Sequence, residues 1–133
     1  MQMQSRYAFG TSVPWDQNEA IERVTAALKD EGFGVLTTID VQAILKEKID
    51  VDREPYVILG ACAPQLANMA LDAEPEIGAL LPCNVIVYQI NGDTHVSFMD
   101  PEAALSLTGN SEINDIATEV KSRLQRVLAS LSS

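Results

Sequence analysis

Cys62, Cys83 and His95 are the side chains of this chain best suited to chemistry, because thiols supply nucleophiles and soft metal ligands and an imidazole moves protons near neutral pH. They are scarce: the sequence holds 2 cysteines and 1 histidine. Each stands apart from the others, whereas a structural metal site is usually written as close-set pairs such as Cys-x-x-Cys. Cys83 follows Pro82 at the mouth of an apolar run. Cys62 precedes Pro64, where a helix is expected to begin and its free N–H groups would favour a thiolate. Against reactivity stands the tendency of free cysteine to be a small buried hydrophobe. These residues leave two chemical readings open: a thiol-dependent or sulfur-handling activity centred on Cys83 with Cys62 as second thiol, and a metal held by Cys62, Cys83 and His95. No cofactor follows from them. Asp50, Asp52, Glu54, Glu74 and Glu76 fall on expected loops and lack EF-hand spacing. The chain has no Gly-rich phosphate loop, nucleophile elbow or dinucleotide fingerprint.

The element that positions Cys83 and His95 is a hairpin. Two runs rich in β-branched and aromatic residues, 81–90 and 93–100, flank Asn91-Gly92, a pair that tolerates the positive φ of a type I′ turn. A two-residue loop sets Tyr88 opposite His95, Val87 opposite Val96, Ile86 opposite Ser97 and Val85 opposite Phe98. Val85, Val87, Val96 and Phe98 then form an apolar face directed at helices. Asn84, Ile86, Tyr88, Ile90, His95, Ser97 and Met99 form a mixed face, suited to a subunit interface or a shallow ligand groove. Cys83 shares the parity of Val85 and His95 does not, so this register sends the two to opposite faces. Cross-strand packing explains the Tyr88–His95 pair as readily as acid–base chemistry does, since the sequence offers only Ser97 as a further polar partner on that face.

The remaining pattern supplies a framework for the hairpin. Tyr7 to Val13 alternates large and small residues and reads as a first strand ended by Pro14. Asp16 and Glu19 resemble a capping box ahead of a helix with Ile21, Val24 and Leu28 on its apolar stripe and Gly32 as its stop. Residues 33–39 read as a second strand, and Asp40 caps a short helix over 41–46. The charged stretch 46–54 reads as an exposed connection to a buried strand, 56–60. Pro64 opens another helix, 72–78 forms a turn or short helical piece, and Asp100 caps the turn at Pro101. Ile113, Ile116, Val120, Leu124, Val127, Leu128 and Leu131 recur at helical spacing behind a cap at Asn110 or Ser111. The expected fold is a single α+β domain over 1–133. One curved antiparallel sheet carries helices on one face, with a β-α-β-β-β-β core, extra short helices and a long C-terminal helix.

Composition narrows the partners. In 133 residues, 19 Asp and Glu stand against 9 Lys and Arg for a net charge of −10, a balance that repels nucleic acid and anionic lipid. The apolar runs are too short to span a bilayer and the first residues lack a secretory layout, so a cytoplasmic protein with reduced thiols is expected. The expected partner is a second copy of the chain, and a small-molecule ligand is compatible with the mixed face.

Several segments together resemble domain of unknown function family 302: Glu31-Gly32-Phe33-Gly34-Val35, Ile39-Asp40-Val41, Ile58-Leu59-Gly60-Ala61-Cys62-Ala63-Pro64, the run from Gly78 through Leu81-Pro82-Cys83-Asn84 to Tyr88, and Met99-Asp100-Pro101. The most specific is Leu-Leu-Pro-Cys entering the strand, with Leu-Gly-x-Cys-x-Pro upstream. The resemblance implies a TATA-binding-protein-like α+β fold and homodimers, and it carries no reaction. Family members often have Asn before the upstream proline where this chain has Ala63, so a polar role at that position does not transfer. The fold analogy to DNA-binding proteins does not transfer either, because fold alone does not give function and the chain lacks the cations to neutralise phosphates.

Overall fold

A computed structural model describes residues 2–131, with the side chains of residues 5–131. Six antiparallel strands make one open sheet in the order β1-β2-β6-β5-β4-β3. They are β1 (Gln2–Gln4), β2 (Ala8–Val13), β3 (Gly34–Asp40), β4 (Tyr56–Cys62), β5 (Cys83–Ile90) and β6 (Asp93–Met99). The helices are α1 (Gln17–Asp30), α2 (Val41–Ile49), α3 (Pro64–Ala73), α4 (Pro101–Leu105) and α5 (Ser111–Leu131), with 3-10 turns at Pro75–Leu80 and Ser106–Thr108.

The β5–β6 hairpin forms in the expected register, Val85 to Phe98 through Tyr88 to His95. Its turn has φ of 52° at Asn91 and 84° at Gly92, a conformation that asparagine and glycine adopt at little cost. The Glu54 carboxylate accepts from both turn amides, at 2.9 Å from Asn91 and 3.0 Å from Gly92, which pulls its pKa below the ordinary glutamate value.

Val85, Val87, Val96 and Phe98 are fully buried. They meet Ala20, Val24 and Leu28 of α1 and the apolar stripe of α5, the element against which α1, α3 and α4 also pack. Helix starts follow the expected chemistry. Asp16 accepts from the Glu19 amide, Asp40 from Ala43, Asp100 from Glu102 and Ala103, and Asn110 from Glu112. The Glu19 side chain turns to Arg23, forming a 2.7 Å ion pair along the helix.

Five features differ from the sequence expectation. β1 is an additional edge strand, whose three residues, Gln2-Met3-Gln4, are too few to mark a strand by pattern. Tyr7 lies outside β2 and is 72% exposed, while Phe9, Thr11 and Val13 turn to the core. α2 runs to Ile49, because Lys46, Glu47 and Lys48 are good helix formers that keep their charges in water. Lys46 then reaches Asp50 at 2.9 Å and Asp52 at 3.1 Å. β4 continues to Cys62, pairing Ala61 with Cys83. In β3 the register shifts between Val35 and Thr37, and Leu36 is left exposed.

Truncating Phe98, which has no exposed surface and stacks on Phe9 at 5.7 Å, will cost about 3–5 kcal/mol. Leu107→Ala, at a residue 79% exposed, will stay within about 0.5 kcal/mol of the parent. Urea denaturation of the two variants checks both values.

Candidate functional site

The six strands give the sheet two unlike faces. The helix-covered face holds Cys83, Val85, Val87, Val96 and Phe98 and is buried. On the other face, pairing arranges the side chains in rows across the strands. One row is Tyr56, Tyr88, His95 and Ser12, a second is Ile39, Ile58, Ile86, Ser97 and Gly10, and a third is Thr37, Gly60, Asn84, Met99 and Ala8.

The predicted mixed-face residues Asn84, Ile86, Tyr88, His95, Ser97 and Met99 do stand together on this open face. Tyr88, with neighbours on both sides, stacks on Tyr56 at 5.2 Å and meets His95 at 5.3 Å. Burial, reinforced by the phenols of Tyr56 and Tyr7, pushes the Tyr88 hydroxyl above the ordinary tyrosine pKa, so it stays neutral. His95 Nδ1 is buried without a hydrogen-bond partner among the described residues. Ser97 Oγ donates to the Phe9 carbonyl at 3.2 Å, across to β2. A depression of about 260 Å³ opens over β5, β6 and the start of β2, lined by Tyr7, Ala8, Tyr56, Ile86, Ser97 and Met99 among others.

Gly10 lies in the tightest part of the β2–β6 pairing. A Cβ there would run into the Val96 carbonyl oxygen and the Ser97 backbone, so β2 can approach β6 only with glycine at that position.

The two thiols lie elsewhere. Cys62 ends β4, half-buried, and Cys83 begins β5, buried. Both line one apolar cleft between the sheet end, α3 and α5, with Ala61, Leu66, Ala70 and Ile116, whose interior measures about 30 Å³. Burial first, and then the neighbouring Cys62, push the Cys83 thiol up to about 11. At neutral pH it is therefore a protonated, weakly nucleophilic group. His95 belongs to the opposite face, in the row of Tyr88, so the imidazole does not join the thiols. Among the described residues, no group of three or more His, Cys, Asp or Glu side chains is arranged to hold a metal ion.

Tyr56, Ile58, Ile39, Gly10 and Tyr7 belong to the open face and were not read from the sequence as part of it. The run Tyr56-Val57-Ile58-Leu59 is apolar at every position and so carries no parity of its own. The signal lay in the hairpin: once β4 pairs with β5, Tyr56 must share the face of Tyr88 and Ile58 that of Ile86.

Comparison with known proteins agrees with this architecture. Residues 9–131 match the family described as Domain of unknown function DUF302. The chain is similar to the crystal structure of an uncharacterized conserved protein DUF302 from Bacillus stearothermophilus, with 34% sequence identity, a TM-score of 0.89, and coverage of 96% of this chain and 99% of that one. Among curated proteins nothing matches.

The position of Cys83 sets a pH dependence. Its folded pKa lies above that of the free thiol, so its contribution to stability is complete below about pH 9 and is lost as pH rises through the folded value of about 11. Cys83→Ala will flatten the fall in stability over that alkaline window by an amount on the order of 2 kcal/mol, read from urea midpoints between pH 8 and 11. At pH 7.5, iodoacetamide followed by peptide mass spectrometry will label half-buried Cys62 well before Cys83.

Proposed function

The chain belongs to the DUF302 family, and on that premise we propose that it works as a homodimeric binding or accessory module whose open sheet face is the contact surface. One observation carries this reading: in a chain of net charge −10, the rows Tyr56–Ser12, Ile39–Gly10 and Thr37–Ala8 contain no Asp, Glu, Lys or Arg, and His95 is their one titratable imidazole. Charge enters at the rim: Asp52, Arg53 and Glu54 line a depression beside Tyr56 and Tyr88, and Asp93 stands at the hairpin end. Two copies of so acidic a molecule repel each other through most of their surfaces, and an uncharged apolar face is where the repulsion is smallest and the gain from burial largest.

The chemistry of the face fits an interface. Tyr, Met and Ile side chains with a few hydrogen-bonding groups are the composition of an interface core, and Ile58, Ile86, Tyr88 and Met99 are half-buried in the single chain. The 260 Å³ depression beside Ser97 and Met99 gives a small-molecule ligand a second possible place on the same surface. The thiol reading is supported by the shared cleft of Cys62 and Cys83. The protonated state of Cys83 counts against it.

The charge balance opposes nucleic acid as a partner. Among the described residues, no helix is long and apolar enough to cross a membrane.

Tyr88→Asp places a charge at the centre of the face, between Tyr56 and His95. Sedimentation velocity and native mass spectrometry will show a dimer for the parent chain and a folded monomer for the variant, because an unpaired charge is strongly disfavoured in a buried contact. A variant that remains as dimeric as the parent would remove the open face from consideration.

A further inference from the structure

The tyrosine row is incomplete at one end. β3 pairs with β4 only as far as Asp40 opposite Val57, and at Val41 the chain leaves the sheet to form α2, so β3 supplies no neighbour for Tyr56. One face of the Tyr56 ring stacks on Tyr88 at 5.2 Å, and no ring covers the other among the described residues. A depression of about 800 Å³ opens at this place, walled by α2, the connection 51–54, the two tyrosines and the end of β5. Its volume is that of a small-molecule site. Val51 and Ile90, both in its lining, are apolar side chains left exposed in the single chain.

Three charged side chains, Asp52, Arg53 and Glu54, line the depression, and the two acids are already engaged. Glu54 accepts from the Asn91 and Gly92 amides at 2.9 Å and 3.0 Å, and Asp52 faces the Lys46 ammonium at 3.1 Å. The Arg53 guanidinium has no ion pair or hydrogen bond among the described residues; only its backbone carbonyl is used, by Gln42. The open charge of this aromatic, partly apolar depression is therefore positive, against the sign of the chain as a whole.

We propose that the depression binds a small planar aromatic molecule carrying one negative charge, an aromatic monocarboxylate in the simplest case, with its ring against Tyr56 and its anionic group on Arg53. An offset stack extends the Tyr56–Tyr88 pair into the place β3 leaves empty, and the guanidinium fork matches a carboxylate in two hydrogen bonds. The Tyr88 hydroxyl, kept neutral, is a further donor. The charge is single because Asp52 and Glu54 flank Arg53 and the chain carries −10: a second negative charge would meet them, which sets nucleotides and other polyanions aside. A cationic ligand would face Arg53 and find both acids taken. Every lining group comes from one chain, so the site does not depend on the homodimer.

Naphthoate is the probe that tests the site, titrated into isotopically labelled protein and followed by its amide shifts. Saturable shifts are expected at Arg53, Tyr56, Tyr88 and Ile90, with a dissociation constant of about 1 mM or tighter. Arg53→Gln, a change at an exposed residue, should weaken naphthoate about tenfold and leave the affinity for neutral naphthamide unchanged. Arg53→Lys, which keeps the charge and loses the fork, should recover part of the loss. Tyr56→Leu should weaken naphthoate and naphthamide alike.

The cationic analogue naphthylmethylammonium separates the proposal from a general affinity of aromatic molecules for an acidic surface, and it should bind less tightly than naphthoate. Tighter binding of the ammonium, equal affinity of the parent and Arg53→Gln for naphthoate, or the absence of saturation would each overturn the proposal. So would shifts centred on the Cys62–Cys83 cleft or on the depression at Tyr7 and Met99. Native mass spectra of the same samples report the subunit count separately: naphthoate held at Arg53 by a monomeric chain supports this site and overturns the homodimer alone.

Discussion

The pairing of β5 with β6 is the constraint on which the rest of this molecule depends. Side chains alternate across a strand with a period of two, so a slip of one residue in this register would send Val85, Val87, Val96 and Phe98 into water and Tyr88 and His95 into the core. The Asn91–Gly92 turn closes the hairpin with the positive φ values that a two-residue loop needs, and Glu54 holds the turn from outside. Every other strand takes its parity from this pair: β2 through β6, β4 through β5, and β3 through β4.

That dependence explains what the sequence makes legible. The hairpin, its register and its two faces can be read directly, because alternation and turn chemistry agree there. The same is true of α1 and α5, whose apolar spacing, capped by Asp16 and Asn110, leaves one interpretation. β4 is legible as a strand and not as a surface, since four successive apolar residues fit either face until a neighbour decides. β1 is three residues long and is held by backbone pairing to β2, too short a stretch for alternation to announce a strand. The end of α2 was obscured by its charges, which mark exposure without distinguishing helix from coil.

The candidate residues separate by the same logic. Parity already divides Cys83 from His95, and the sheet turns that division into two distinct environments. One is an apolar cleft under α3 and α5 in which the buried Cys83 thiol keeps its proton; the other is an open aromatic row. What the local sequence could not give is the company each residue keeps: Cys62 beside Cys83 and Tyr56 beside Tyr88 come from the β4–β5 pairing, between residues more than twenty positions apart. An interface reading of the open face depends on this assembly of rows and not on any motif.

The carboxylates held by backbone amides have a consequence for the electrostatic economy of the chain. With about twice as many acids as bases, there are too few cations for each acid to have one. The peptide group supplies part of the missing positive charge: Glu54 at the hairpin turn, and Asp16 and Asp40 at helix starts, each face one or two N–H groups at 2.8–3.0 Å. Such bonds act at contact distance, where dissolved ions screen poorly, whereas repulsion among the remaining surface acids acts over longer distances and is damped by salt. Added salt therefore relieves repulsion between acids while leaving these anchors in place. The fold's local fastenings and its global charge answer to ionic strength in different ways.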